Sequence, residues 1–314
     1  MKFLWRIAMV CVFSAGMAWI VPAWATEQAL QPGQLLVSGK VLEGRDVCMH
    51  CHDENDQKPT MTILKTRHGV KGDKRTPECQ GCHGLSDSHI HNAGGGPVRP
   101  KPDMTYGPKS EHDATARSEK CLGCHEGGKR MHWAGSQHQG QDVACNSCHN
   151  IHAADDKVLD KTVQREVCFK CHKNEQAQVH RLSTHPLDAG KMSCSDCHNP
   201  HGSVGPKLLV KNTVNETCFT CHAEKRGPFL WEHPPVAEDC LNCHTPHGSN
   251  VTPLLKNRAP FLCRECHSGH GAPYDGSKLP TAAAGGVTLL LHGCANCHSQ
   301  VHGSNHPSGS YFQR

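Results

Sequence analysis

Apolar residues gather once along this chain and are scattered everywhere else. Ile7 to Ile20 is a continuous apolar run, preceded by Lys2 and Arg6 and followed by Ala23-Trp24-Ala25. A basic start, a short apolar stretch and a small-x-small site predict a secretory signal over residues 1–25, with maturation before Thr26. The run is too short for a transmembrane helix. Cys11 lies within it, in no lipoprotein-like context. No later stretch could span a bilayer, and Val287–Leu291 is far too short.

Past residue 25 neither a helical nor a strand period is sustained. Residues 26–47 form a polar lead-in. The remainder, 48–314, predicts short helices, as over Gln164–Arg181, joined by long loops, with few or no strands. The 30 glycines and 20 prolines agree with that. Ala93-Gly-Gly-Gly-Pro-Val-Arg-Pro-Lys-Pro102 opens a Gly/Pro connector near 93–108, expected to be extended and to separate what precedes it from the rest.

What does repeat is Cys-x-x-Cys-His. Ten copies run as Cys48/Cys51/His52, Cys79/Cys82/His83, Cys121/Cys124/His125, Cys145/Cys148/His149 and Cys168/Cys171/His172, then Cys194/Cys197/His198, Cys218/Cys221/His222, Cys240/Cys243/His244, Cys263/Cys266/His267 and Cys294/Cys297/His298. Two cysteines three apart reach the two vinyl groups of one haem as thioethers. The histidine that follows comes under the iron as its proximal ligand. Ten motifs use 20 of the 21 cysteines, and Cys11 is the one left over. No mature cysteine remains for a disulfide, a structural zinc or a catalytic thiol. A zinc-ribbon array would use the same cysteine pairs but would not require a histidine after every second one. The expected cofactors are therefore ten covalently bound haem c groups, and no catalytic residue is assigned.

Composition now makes sense. Hydrophobic content is 36% and aromatics 5%, thin for a core of this size. Haems supply the missing apolar bulk, so folding should depend on their insertion. The formal charge of +4 is misleading, because the propionates of ten haems turn it negative. Nucleic acid, which wants a clustered basic face, is excluded as a partner.

From Cys121 the first cysteines recur at 24, 23, 26, 24, 22 and 23 residues, and the last gap is 31. A fixed period marks a repeat array in which each unit touches mainly its neighbours, hence an elongated object. The better unit holds two motifs. Connectors beginning at Asp156, Pro206 and Pro253 align by eye, each ahead of an odd-numbered motif.

Each iron also needs a sixth ligand. The 27 histidines outnumber the motifs, whereas the mature chain has only Met49, Met61, Met104, Met131 and Met192. Bis-histidine ligation, with low potentials, follows. His152, His201, His247 and His270 each lie three residues past a motif histidine. His68, His138, His185 and His233 are isolated, each ahead of an even-numbered motif. His89 and His302 are assigned at the ends, with His91, His112, His292 and His306 as rivals. His50, His132 and His180 are read as non-ligands.

With Cys197-His-Asn-Pro-His-Gly202, its near-copy Cys243-His-Thr-Pro-His-Gly248 and the closing His302-Gly-Ser-Asn-His306-Pro-Ser-Gly309, the chain resembles the periplasmic decahaem cytochromes of the MtrA/DmsE/PioA/MtoA family. The resemblance covers the whole mature chain and implies a linear haem wire inserted into an outer-membrane β-barrel porin. It implies electron exchange with an inner-membrane quinol-linked or periplasmic cytochrome and with an outer-surface multihaem cytochrome. The flow would serve metal reduction or ferrous-iron oxidation from the periplasm, at the outer membrane. Irregular backbone cannot face lipid, and a surrounding barrel would shield it over the roughly 30 Å of hydrocarbon.

Two other functions compete with the conduit. A soluble periplasmic shuttle would look the same in sequence. A multihaem oxyanion reductase would need a five-coordinate haem, often with a nearby tyrosine, yet Tyr106, Tyr274 and Tyr311 adjoin no motif in sequence. The expectation is an electron carrier and not an enzyme.

Overall fold

In the computed structural model of the protein, residues 29–56, 59–70, 72–73, 75–267 and 294–313 are described. Helices are short and loops long, as the Gly and Pro content predicts. The sole sheet among the described residues is a hairpin in the lead-in, β1 (Leu35–Val37) antiparallel to β2 (Lys40–Leu42). Its turn, Ser38-Gly39, holds both residues at positive φ, the requirement of a tight hairpin. The lead-in is tied down near the second motif, where Gln80 Nε2 donates to the Gly33 carbonyl at 2.7 Å.

Each motif is one helical turn. The histidine N–H bonds the carbonyl of the first cysteine four residues back, at 2.9 Å for His52, His149, His198, His222, His267 and His298. A turn of this kind places residues i, i+3 and i+4 on one face, so both sulfurs and the imidazole point the same way. Odd and even motifs differ in how the turn is held. In odd motifs a helix runs into the first cysteine: α1 (Arg45–Met49), α4 (Ala114–His125), α6 (Gln164–Cys168), α9 (Val214–Phe219) and α11 (Ala259–Arg264). In even motifs the turn begins at that cysteine: α2 (Cys79–His83), α5 (Cys145–Cys148), α8 (Cys194–Cys197) and the 3-10 turns Cys240–Asn242 and Cys294–Asn296. Between them lie α3 (Asp87–Ile90), α7 (Lys173–Val179) and α10 (Pro234–Glu238).

The short helices expected over Gln164–Arg181 are two, α6 and α7. His172 has ψ 67, which swings its carbonyl out of the helical ladder and ends the first piece.

On α4, α6 and α9 one buried polar side chain braces the even motif beside it. Ser118 Oγ accepts from Cys145 N at 3.4 Å, Gln164 Oε1 from Ser195 N at 3.0 Å, and Asn215 Oδ1 from Cys240 N at 2.7 Å. All three are buried. They satisfy N–H groups at helix starts that have no partner inside the helix. Apolar packing is sparse by comparison. Among the described residues only Val47, Met104, Ala114, Trp133, Ala144, Val167 and Val179 form the buried hydrophobic set.

The Gly/Pro connector does not separate the first two motifs from the rest. It folds back: Arg99 Nη1 donates to the carbonyls of His89 and Ile90, Met104 N to the His83 carbonyl, and Ser86 N to Asp103 Oδ2. The second and third motif helices, α2 and α4, pack on one another directly. Gly and Pro here provide a tight reversal instead of reach.

Candidate metal centres

The sulfurs order the motifs in space. Within each odd–even pair the two first cysteines stand side by side, close enough for each to shift the other's pKa: Cys48 with Cys79, Cys121 with Cys145, Cys168 with Cys194, Cys218 with Cys240 and Cys263 with Cys294. Between pairs the second cysteines feel one another's charge: Cys82 and Cys124, Cys148 and Cys171, Cys197 and Cys221, Cys243 and Cys266. The motifs therefore follow one another in space in chain order, first sulfurs and second sulfurs alternating at successive junctions. As free thiols these groups are strongly perturbed. The neighbouring Cys121 lowers Cys145 to about 6, and the neighbouring Cys168 lowers Cys194 to about 7. Thioether formation removes them from titration altogether.

The two cysteines of a motif are not equally exposed. Every first cysteine is half-buried, whereas the exposed ones are all second cysteines: Cys51, Cys124, Cys148, Cys171, Cys221, Cys266 and Cys297. Cys51 and Cys297 differ further. They are the second cysteines of the first and last motifs, and the junctions between second sulfurs run only from Cys82/Cys124 to Cys243/Cys266. The reason is position: the first cysteine of each motif is paired within its unit, while the second stands beside the second cysteine of a neighbouring unit, and the array ends at Cys51 and at Cys297. Their turns are nevertheless intact, with Cys51 N and Cys297 N each 3.2 Å from the carbonyl of the first cysteine. Both sulfurs therefore keep the placement that attachment needs, at the two outer ends of the array.

Each motif histidine with a described partner faces one histidine from outside the motifs. Ring centroids are 6.1 Å apart for His52 and His89, 6.2 Å for His83 and His152, 5.8 Å for His125 and His68, and 6.0 Å for His149 and His201. They are 6.1 Å for His172 and His138, 6.1 Å for His198 and His247, 6.4 Å for His222 and His185, 6.2 Å for His244 and His302, and 6.0 Å for His267 and His233. His270 lies outside the described residues, as does its rival His292. Three of the other rivals and non-ligands are engaged elsewhere. His91 Nε2 lies 3.6 Å from Asp87, His180 Nδ1 lies 3.7 Å from Asp188, and His306 Nδ1 accepts from Ser308 N.

All of these pairs except His52 with His89 cross between units. His68 and His138 come from ahead of the odd motifs they face. His152, His201, His247 and His302 reach back from the next unit. A loop ending in His-Gly delivers each of the last three. Gly202, Gly248 and Gly303 have φ of 111, 155 and 133. A Cβ at Gly202 would stand 2.0 Å from the His132 carbonyl oxygen, and one at Gly248 2.0 Å from that of Gln178. Only glycine lets the loop seat against the preceding unit. The isolated histidines seal the same seam: His138, His185 and His233 donate Nδ1–H to the carbonyls of Pro200, Pro246 and Val301 at 2.8, 2.9 and 3.1 Å.

The Nδ1 bonds matter chemically. His83, His198, His244 and His298 donate to backbone carbonyls of Met104, Lys207, Pro253 and Tyr311, and His89 and His152 to those of Pro100 and Thr60. A carbonyl only accepts, so Nδ1 carries the proton and Nε2 keeps its lone pair. That tautomer and its outer partner are the arrangement of metal-ligating histidine. Burial also lowers the pKa of His83, His201, His244, His247 and His302, His201 to about 4. Neutral rings are the form that ligates.

The site fits haem. Two imidazole nitrogens opposed across a transition metal, each at about 2.0–2.1 Å as for zinc, leave ring centres about 6 Å apart. Among the described residues no cluster of three or more His, Cys, Asp or Glu is arranged to hold a bare ion. A porphyrin supplies the remaining four donors and fills the thin core. Two buried donors left without a protein partner, Trp133 Nε1 and His201 Nδ1, lie together, with rings 6.4 Å apart.

Two contacts run against the sequence reading of the tyrosines. Tyr106 is edge-on to His83 at 5.4 Å, its hydroxyl donates to the Cys82 carbonyl at 2.9 Å, and the Tyr311 carbonyl serves His298. Both lie far from those motifs in sequence, and loops bring them back. Tyr106 does not open a substrate position, since His152 also faces the His83 ring. Nor did spacing disclose the Nδ1 acceptors, because most are backbone carbonyls that any residue offers.

A family model described as a doubled CXXCH motif matches residues 138–177, 185–227 and 233–272, each segment starting at one of the isolated histidines. The chain is 44% identical over 280 residues to the multiheme cytochrome MtrA of Shewanella baltica (strain OS185), covering 87% of this chain and 82% of that protein. It is 26% identical over 148 residues to the high-molecular-weight cytochrome c of Nitratidesulfovibrio vulgaris (strain Hildenborough), 47% of this chain and 25% of that protein.

Proposed function

The chain belongs to the MtrA family of multihaem c-type cytochromes, and on that premise we propose that it is the wire of a conduit across the outer membrane. It carries covalently bound haem c and transfers electrons. Our reading extends this to ten haems, one per motif, each iron held by its motif histidine and by the facing histidine. His270, proposed from its spacing in the sequence alone, completes the set. Both end haems then take their sixth ligand from within their own unit, His89 at one end and His270 at the other. Cys51 and Cys297, the second cysteines at the two ends of the array, are both exposed, and the edges of these two end haems are where a redox partner would approach.

The observation that carries the conduit is the unbroken sequence of junctions from Cys48/Cys79 to Cys263/Cys294, with an opposed histidine pair at each motif that has a described partner. Irons with both axial positions taken have no place for substrate, so such an array passes electrons along and does no other chemistry. A β-barrel porin around the wire shields its irregular backbone from lipid. The chain reaches it from the periplasm after loss of residues 1–25. A periplasmic or inner-membrane quinol-linked cytochrome meets one end and an outer-surface multihaem cytochrome the other.

The test is mild detergent extraction of the native outer membrane, with identification of what co-purifies with the haem-staining band. A β-barrel of matching stoichiometry is expected. Recovery wholly in the soluble periplasmic fraction, free of any barrel, would replace the conduit with a shuttle.

A further inference from the structure

Three successive units solve one local problem, and one of them solves it differently. In the units of His198 and His244, two backbone carbonyls of the following connector come back over the motif. Lys207 O accepts from His198 Nδ1 at 2.9 Å and Leu208 O from Asn199 N at 2.7 Å. Pro253 O accepts from His244 Nδ1 at 3.0 Å and Leu254 O from Thr245 N at 2.8 Å. In the unit of His149 one side chain does both. Asp156 Oδ2 meets His149 Nδ1 at 2.7 Å and Oδ1 accepts from Asn150 N at 3.3 Å. Asp156 stands at the head of the connector that aligns with those starting at Pro206 and Pro253. A carboxylate has replaced two carbonyl dipoles at the same place in the repeat.

From this geometry we infer that Asp156 is a potential-setting residue, holding the haem of the Cys145–Cys148 motif at a more negative potential than a carbonyl acceptor would. The inference rests on His149 and His201 being axial ligands, as proposed above. A carboxylate accepting the Nδ1 proton makes the imidazole a stronger donor, and its charge favours the ferric over the ferrous state. No bond is made or broken: one electron arrives from a neighbouring haem, and the Nδ1 proton stays in the hydrogen bond. Lys157, next in the chain, pairs with Glu166 at 3.3 Å and does not neutralise Asp156. Lys129 and Arg130 act from the His201 side and are unchanged when Asp156 is replaced. His52 meets Asp56 at the same 2.7 Å, but those side chains are 42% and 31% exposed against 27% and 15% for His149 and Asp156. Water screens the outer pair more, so the effect is larger at Asp156.

The experiment is a potentiometric titration of the holoprotein followed by low-temperature EPR, for wild type, Asp156→Asn and Asp156→Glu. Asn keeps an acceptor and loses the charge, and Glu restores it. The expected result is one transition of single-haem amplitude moving to more positive potential in D156N and back toward wild type in D156E. A D156N titration that superimposes on wild type, with haem content unchanged, overturns the inference. Failure of the axial reading looks different: wild type itself would then show a high-spin haem. Should D156N not assemble, near-infrared magnetic circular dichroism of the wild type decides. One haem band displaced toward imidazolate ligation supports the role of Asp156, and a single common band overturns it.

Discussion

The ring of His152 stands 6.2 Å from that of His83 in the preceding unit, while His149, three places before it, faces His201 at 6.0 Å. Neighbours in sequence thus serve different centres. Each unit reaches back to complete one centre of the unit before it, so the array is stitched at every seam.

Replacing His152 with Ala should create one high-spin haem, at the Cys79–Cys82 motif and not at the motif beside it. EPR of the ferric holoprotein reads this. The signal should vanish when Cys79 and Cys82 are also replaced by Ala, and survive when Cys145 and Cys148 are replaced instead. The reverse pattern would break the pairing.

Gly202→Ala and Gly248→Ala should each destabilise by more than about 1 kcal/mol, the conformational part alone being of that order. The added methyl would also overlap a carbonyl oxygen of the preceding unit. Gly140→Ala, with nothing near its Cβ position, is the matched control and should change little. Thermal melting followed in the Soret band compares them.

Asn215→Ala should cost about 1–3 kcal/mol, the usual penalty for orphaning buried polar partners. It strips Cys240 N of its acceptor and the carbonyls of Val236 and Ala237 of their donor. Denaturant unfolding of the holoprotein measures the loss; a variant as stable as wild type would show the brace to be dispensable.

Asp196 gives a pH dependence with a definite sign. Its hydrogen bond from Lys161 at 2.7 Å, with bonds from Ser193 at the start of α8, holds its carboxyl below the ordinary 3.8. A depressed folded pKa contributes stability that is present above about 3.8 and is lost as pH falls through the lower folded value. Asp196→Asn should therefore be less stable than wild type at neutral pH, and the two should converge in acid. Unfolding midpoints from pH 7 down to about 2 check this; a constant difference would count against it.

Much of the centre was legible because it is local. Cys-x-x-Cys-His places two sulfurs and an imidazole on one turn whatever surrounds it. The same locality hid the difference between Cys51 or Cys297 and the inner second cysteines, since only neighbouring units distinguish them. The pairing was not legible, because spacing selects histidines that are free to ligate without saying which iron each meets. The Gly/Pro run before Asp103 misled for a related reason. Those residues permit an extended connector and a tight reversal equally, and hydrogen bonds from Arg99, Met104 and Ser86 chose the reversal.

By itself, then, the sequence determined the number of motifs, the chemistry of attachment, the supply of histidines and the thin apolar core that only haem can fill. Each of these follows from residue type within one turn, or from a count. Tertiary structure alone decided that His83 answers to His152 and His149 to His201, that glycines seat the crossing loops, and that Asp156 stands where other units offer carbonyls. Those are contacts between residues far apart in the chain, and they exist only once neighbouring units have packed.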